Sequence, residues 1–225
     1  MQTMKTTWPV CIGIVLFPWL AAAQDSFSFE GETVEHPEGK ASQSQHFLFT
    51  LTGDGTTDNC EWVVKEDASA PSPKSVLAIL RADAVDTCWP MGLLKGAKRY
   101  QDFTVSVRFK VLGGTVNQAG GVVFRAVDAD HCYLVRASAL DNSIALYRVN
   151  KAERHKLGTA KANVSTDRWH KLGVTAKGSE LQVFFNDAKV LTTKDAVYPL
   201  GKVGVCTQAD SVTHFDDFTI TGATE

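Results

Sequence analysis

The chain has 225 residues, 44% of them hydrophobic and 21% charged, and a formal net charge of −2. That balance suits one ordinary globular domain. It offers none of the basic excess by which a protein grips nucleic acid.

Lys5 precedes an apolar run from Val10 to Leu20, and Ala21-Ala22-Ala23 supplies a small-x-small site before Gln24. The run is too short, and too interrupted by Pro18, to span a membrane, so it reads as a signal peptide. Residues 1–23 are expected to be removed, leaving 24–225 as a single domain exported to the periplasm or the extracellular space, with no transmembrane segment. Cys11 leaves with the peptide, and Cys60, Cys88, Cys132 and Cys206 remain. Four cysteines in an exported chain read as two disulfides with three possible connectivities. No CxxC spacing points to zinc.

In chain order, "FSFE", "HFLFTL" and "EWVVKE" read as strands, and "SVLAILRA" fits either a strand or a short helix. Trp62 alternates with strand residues and belongs to the core. Trp89, between Cys88 and Pro90, is a rigidly held ring suited either to plug the core or to form a platform. From Phe103 the period is two: Phe103, Val105, Val107, Phe109 and Val111 share one face, and Thr104, Ser106, Arg108 and Lys110 the other. "GGVVFRA", "CYLVRA", "SIALYRV", "WHKLGVTA", "LQVFFN", "VGVCT" and "HFDDFTITG" follow, divided by turn-forming groups, with Trp169 again placed as core. Many short strands without a long amphipathic helix mean a sandwich or a barrel.

The hairpin "VVFRAVDADHCYLVRASAL" holds the polar residues of interest. A turn centred near Ala129 puts Arg125 opposite Tyr133 on one face and Arg136 with Cys132 and Leu134 on the other; an off-centre register exchanges the two arginines. The arginine that does not face a ligand must be paired or lie near a sheet end, because an unpaired buried guanidinium is too costly.

"QAGGVVFRAVDADHCYLVRASALDNSIALYRVNKAERHKLG", "WHKLGVTAKGSELQVFFND" and "GKVGVCTQADSVTHFDDFTITG" resemble the core of the 3-keto-disaccharide hydrolase family, a branch of the concanavalin A-like jelly rolls to which laminin-G-type domains also belong. The resemblance covers roughly Trp62 to Gly222. It implies two stacked antiparallel sheets that meet a carbohydrate on the concave side. By their own chemistry Arg125, Tyr133, Trp89, Arg136 and His131 are the candidates to face that ligand, and the resemblance implies a possible structural calcium at Glu30 and Asp217 on the convex side. Two positions depart from the family pattern: Cys132 stands where a tyrosine is typical and Cys206 where a tryptophan is. Their joint exchange favours pairing Cys132 with Cys206, which leaves Cys60 with Cys88.

A retaining glucanase of this superfamily needs two carboxylates about 5–5.5 Å apart, and the sequence has no Glu-x-Asp-x-x-Glu run to supply them. A 3-keto-glycoside hydrolase needs a general base, for which His131 and His214 are the candidates, and a cation for the enolate oxygen, for which Arg125 is one. The two lost aromatics weigh toward a glycan-binding module, with the hydrolase as the alternative and a structural or protein-binding role as the third reading.

Overall fold

The computed structural model describes residues 24–36 and 42–224; the expected signal peptide lies outside them. Two antiparallel sheets face each other. The first, eight-stranded, runs β13 (Ala188–Lys194), β12 (Glu180–Phe185), β11 (His170–Lys177), β6 (Tyr100–Gly113), β15 (Val212–Thr224), β4 (Ser75–Arg81) and β3 (Glu61–Glu66), with β1 (Gln24–Phe27) also paired to β15. The second, seven-stranded, runs β10 (Glu153–Lys161), β9 (Ser143–Asn150), β8 (His131–Ser138), β7 (Ala119–Asp128), β14 (Lys202–Cys206), β5 (Trp89–Leu94) and β2 (Phe47–Thr52). This is a jelly-roll sandwich, one of the two architectures the strand pattern allows and the one the family resemblance implies. Among the described residues no helix is long and apolar enough to cross a membrane.

The period-two face of β6 packs inward against Val122, Phe124 and Tyr133 of the second sheet. Trp62 stacks on Phe49 at 4.8 Å and joins the core as expected. Trp169 does not: it lies half-buried on the outer face of the first sheet, its indole N–H donating to Ser69 Oγ at 3.1 Å. The segment 67–75 crosses that same outer face. Asp67 takes Lys110 at 2.6 Å and His214 at 2.7 Å, and Asp216 accepts from Ser72 N–H and Oγ–H at 2.9 and 2.7 Å. A strand covered on both sides can be apolar throughout, which is why "SVLAIL" became β4 rather than a helix.

The β7–β8 hairpin departs from the centred register. Phe124 faces Tyr133 and Asp128 faces His131, so residues 125–127 form a bulge. Arg125 sits in that bulge at φ +46° and turns into the sandwich. Arg136, opposite Gly121, stays on the outer face of the second sheet with Cys132 and Leu134.

Cys60, Cys88, Cys132 and Cys206 are buried thiols in the structure. The Cys60 thiol donates to Thr56 O at 3.5 Å, and the neighbouring Cys88 thiol together with burial pushes its pKa far above the ordinary value. The pairing of Cys132 with Cys206 does not hold. Cys206 lies opposite Gly121, Gly121 lies opposite Arg136, and Cys132 is four residues further along β8. Two strand spacings of about 4.8 Å and four residue rises of about 3.3 Å put the pair well beyond disulfide reach.

Candidate functional site

The second sheet is apolar on both faces. Its inner face joins the main core, and its outer face carries Met91, Val123, Leu134 and Val149 beside Trp89 and Tyr147. A cleft of about 710 Å³ opens on this outer face, toward the edge formed by β9 and β10. Its end wall is a stitched pair of segments. Thr207 N–H donates to Pro90 O at 2.9 Å and Ala209 N–H to Cys88 O at 2.8 Å, while the Gln208 amide donates to Asp86 Oδ1 at 2.7 Å and to Asp86 O at 3.0 Å. The turn that delivers Gln208 is held by Asp210, whose carboxylate accepts three N–H groups, from Thr115, Val116 and Asn117. Burial works against that charge, but the three donors prevail and keep its pKa below the usual carboxylate value.

Trp89 opens β5 against this wall. The ring of Tyr147, from β9, meets it edge-on at 5.6 Å. Two cations of the edge strand β10 cover these rings: the Arg154 guanidinium lies 5.4 Å from the Trp89 centroid and Lys156 Nζ 5.8 Å from that of Tyr147. Arg154 Nη1 also donates to Thr87 O at 3.1 Å. Arg136 enters from β8, 7% exposed, with its terminal nitrogens 3.2 and 3.5 Å from Asp141. Gly121 makes room here, because a Cβ at that position would stand 2.7 Å from Cys206 Sγ.

Four buried polar atoms cluster at this cleft without a hydrogen-bond partner: Trp89 Nε1, Arg136 Nε, Gln208 Oε1 and the adjacent Thr207 Oγ1. Such atoms are rare in folded proteins and costly when left dry, and three of the four belong to residues that line the cleft.

The residues expected to face a ligand divide. Trp89 and Arg136 line the cleft. Arg125 and Tyr133 face the opposite way and are fully buried. Arg125 donates to Gln101 O at 2.7 Å, Gly178 O at 2.8 Å and Tyr198 O at 3.4 Å; it closes the end of the sandwich rather than a surface. The Tyr133 hydroxyl donates to Asp195 and accepts Tyr198 N–H at 3.2 Å, and burial raises its pKa. His131 is at the hairpin tip, bonded through Nδ1 to Asp128 at 2.8 Å, and does not line the cleft. His214, the other proposed base, is buried against Asp67 under the segment 67–75.

The proposed calcium pair is otherwise engaged. Both oxygens of Glu30 accept from Ser75, at 2.7 and 3.1 Å, and Asp217 lies 3.4 Å from Arg108. Among the described residues no group of three or more His, Cys, Asp or Glu side chains that could hold a metal ion forms, so a calcium here would have to draw most of its oxygens from the backbone. Tyr147, Arg154, Lys156 and Gln208 were not singled out from sequence. The signal for the first three was present as alternation in "SIALYRV" and "ERHK", where residues two apart share a face.

No curated protein matches this sequence. Among solved structures the fold is similar to the carbohydrate binding module CBM66 from Bacillus subtilis, at 19% identity and a TM-score of 0.61, covering 79% of this chain and 98% of the other. It is also similar to a Bacillus subtilis protein of unknown function with a galectin-like fold, at 11% identity and a TM-score of 0.53, covering 80% and 90%. A third is the exoplasmic/lumenal domain of VIP36 in a Ca2+/Man-bound form, at 11% identity and 0.52, covering 79% and 83%. At these identities the likeness establishes the concanavalin A-like jelly roll and nothing finer. The family of 3-keto-alpha-glucoside-1,2-lyase-like domains matches residues 54–221, a span that holds every residue of the cleft wall and floor named above. The chain belongs to this family of 3-keto-alpha-glucoside-1,2-lyase-like domains.

Proposed function

We propose that the chain is a carbohydrate-binding domain that acts after export and holds a glycan in the cleft of the second sheet. The observation that carries this reading is the meeting of two aromatic rings with four unpartnered polar atoms. A sugar presents both halves of the complement: an apolar C–H face for a ring and hydroxyls that donate and accept. The named neighbours, a carbohydrate binding module and a mannose-bound lumenal domain, support the same ligand class. The test is a glycan array followed by calorimetric titration of the wild type, Arg136→Ala and Tyr147→Ala, with circular dichroism to verify folding. Folded variants that bind the same glycan with unchanged affinity would overturn the cleft assignment.

A second reading, cleavage of a 3-keto glycoside, is favoured by the family itself. The C3 ketone acidifies the proton at C2. A base removes that proton, the C1 substituent departs with its bonding pair, and water then adds across the resulting double bond. Such chemistry needs a cation for the enolate oxygen. Of the two arginines that line the cleft, Arg136 and Arg154, Arg136 is the buried one, so it takes the part first assigned to Arg125. Release of the leaving sugar from 3-keto-trehalose or a 3-keto-glucoside, abolished by Arg136→Ala, would select this reading over simple binding.

A further inference from the structure

Cations outnumber carboxylates around the cleft, and their pairing is uneven. Arg136, Arg154 and Lys156 line it with Asp86 and Glu153. Asp86 accepts the Gln208 amide, and Glu153 is exposed at the start of β10. Among the described residues, neither Arg154 nor Lys156 has a carboxylate within 4.0 Å. Each rests instead over an aromatic ring, a weak partner for a charge that water still reaches.

Arg136 is short of negative charge in a different way. It is more than nine-tenths buried, its Nε–H has no acceptor, and its two contacts to Asp141 are long for charge-assisted bonds. Asp141, moreover, is half exposed and also accepts from Ser143 Oγ at 2.7 Å. A guanidinium in this state presents the planar fork that a carboxylate or sulfate would complete.

We infer that the cleft selects anionic saccharides, those bearing a carboxylate or sulfate group, with Arg136, Arg154 and Lys156 as charge partners beside the Trp89–Tyr147 rings. This rests on the cleft being the glycan site. Arg154 and Lys156 sit two residues apart on the edge strand, so both point to the same side and can follow one chain of sugars along the cleft. Their present seats on the rings are the positions a sugar face would take. Binding therefore moves the cations sideways onto the acid groups while the rings take the sugar.

The experiment is an array of matched backbones (glucan, galactan and mannan oligosaccharides), each in neutral, C6-carboxylate and C6-sulfate form, read at low ionic strength and at about 1 M salt, where the Debye length is about 3 Å. Acidic members should bind about tenfold or more tighter than their neutral counterparts, as expected of one or more charge-assisted contacts. The gap should narrow in high salt. The acidic-to-neutral ratio should approach one in a protein carrying Arg154→Gln and Lys156→Gln, two residues accessible enough for the fold to survive their replacement. The carboxylate and sulfate arms identify which acid is read. Equal binding of neutral and acidic members would overturn the inference and leave the glycan site standing. Acid preference that persists in the double variant would overturn the assigned residues, and an array that retains no sugar would overturn both.

Discussion

Arg125 is the sharpest test of how the sandwich closes. Its guanidinium is fully buried and donates to the carbonyls of Gln101, Gly178 and Tyr198, with Asp102 3.8 Å away. Arg125→Ala removes every one of these donors. Gln101 and Gly178 are exposed residues whose carbonyls can recruit water, whereas the Tyr198 carbonyl belongs to a buried residue. The loss is that of a broken buried charge network, about 3–5 kcal/mol. At about 2–4 °C per kcal/mol for a domain of this size, the melting temperature should fall by roughly 6–20 °C. A second substitution separates backbone from side chain. Arg125 adopts φ +46°, a conformation that costs an L-residue about 1–2 kcal/mol, so Arg125→Gly should melt above Arg125→Ala by a few degrees while losing the same donors. Differential scanning calorimetry of both variants gives the numbers, and glycan titration below the transition gives the control, which should match the wild type. A melting point within about 2 °C of wild type, with sugar affinity lost, would refute the inward placement of Arg125 and with it the bulged register of the hairpin.

Three further outcomes follow from the same geometry. Burial holds His170 and His214 below the ordinary histidine pKa, so each takes up a proton more readily when unfolded; their contribution is complete above about pH 6.5 and is lost as pH falls below it toward the folded values. Thermal melts should therefore be level near neutrality and decline through the mildly acidic range, and a constant melting point down to about pH 5 would contradict the burial of both rings. The contact between Cys60 and Cys88 should close to a disulfide in an oxidising compartment, contributing about 3–4 kcal/mol, while Cys132 and Cys206 stay reduced; thiol titration of the unfolded, unreduced mature protein should find two thiols, and four would refute the closure. Gly204→Ala would place a Cβ 1.9 Å from Gly92 O and force β14 from β5, so a drop of about 3 kcal/mol is expected in chemical denaturation. An unchanged midpoint would refute the β14–β5 register.

Much of the first sheet was legible because one face of most of its strands is wet. β6 shows this: Phe103, Val105, Val107, Phe109 and Val111 are buried in alternation with more exposed partners, as the period of two requires. Trp169 was misplaced for a local reason. It borders a strand start, and the contacts that hold it, Ser69 and Lys110, come from segments 100 and 59 residues away in sequence. The bulge at 125–127 left no sequence signal either: no glycine or proline marks it, and the carbonyls that draw Arg125 inward belong to the start of β6, the β11–β12 turn and the segment between β13 and β14.

The cleft was harder to read because the second sheet is apolar on both faces, and alternation then cannot say which set of side chains looks outward. The arginines resolve what the apolar residues leave open. A guanidinium can enter the sandwich only where acceptors meet it, and Arg125 finds three carbonyls there. Arg136, on the next strand, finds one half-exposed carboxylate and leaves its Nε–H without an acceptor. Two arginines in one hairpin thus report opposite sides of the same sheet. The satisfied one marks the closed end of the core; the unsatisfied one, with Trp89 and Tyr147, lines the cleft in which we propose that a glycan is held.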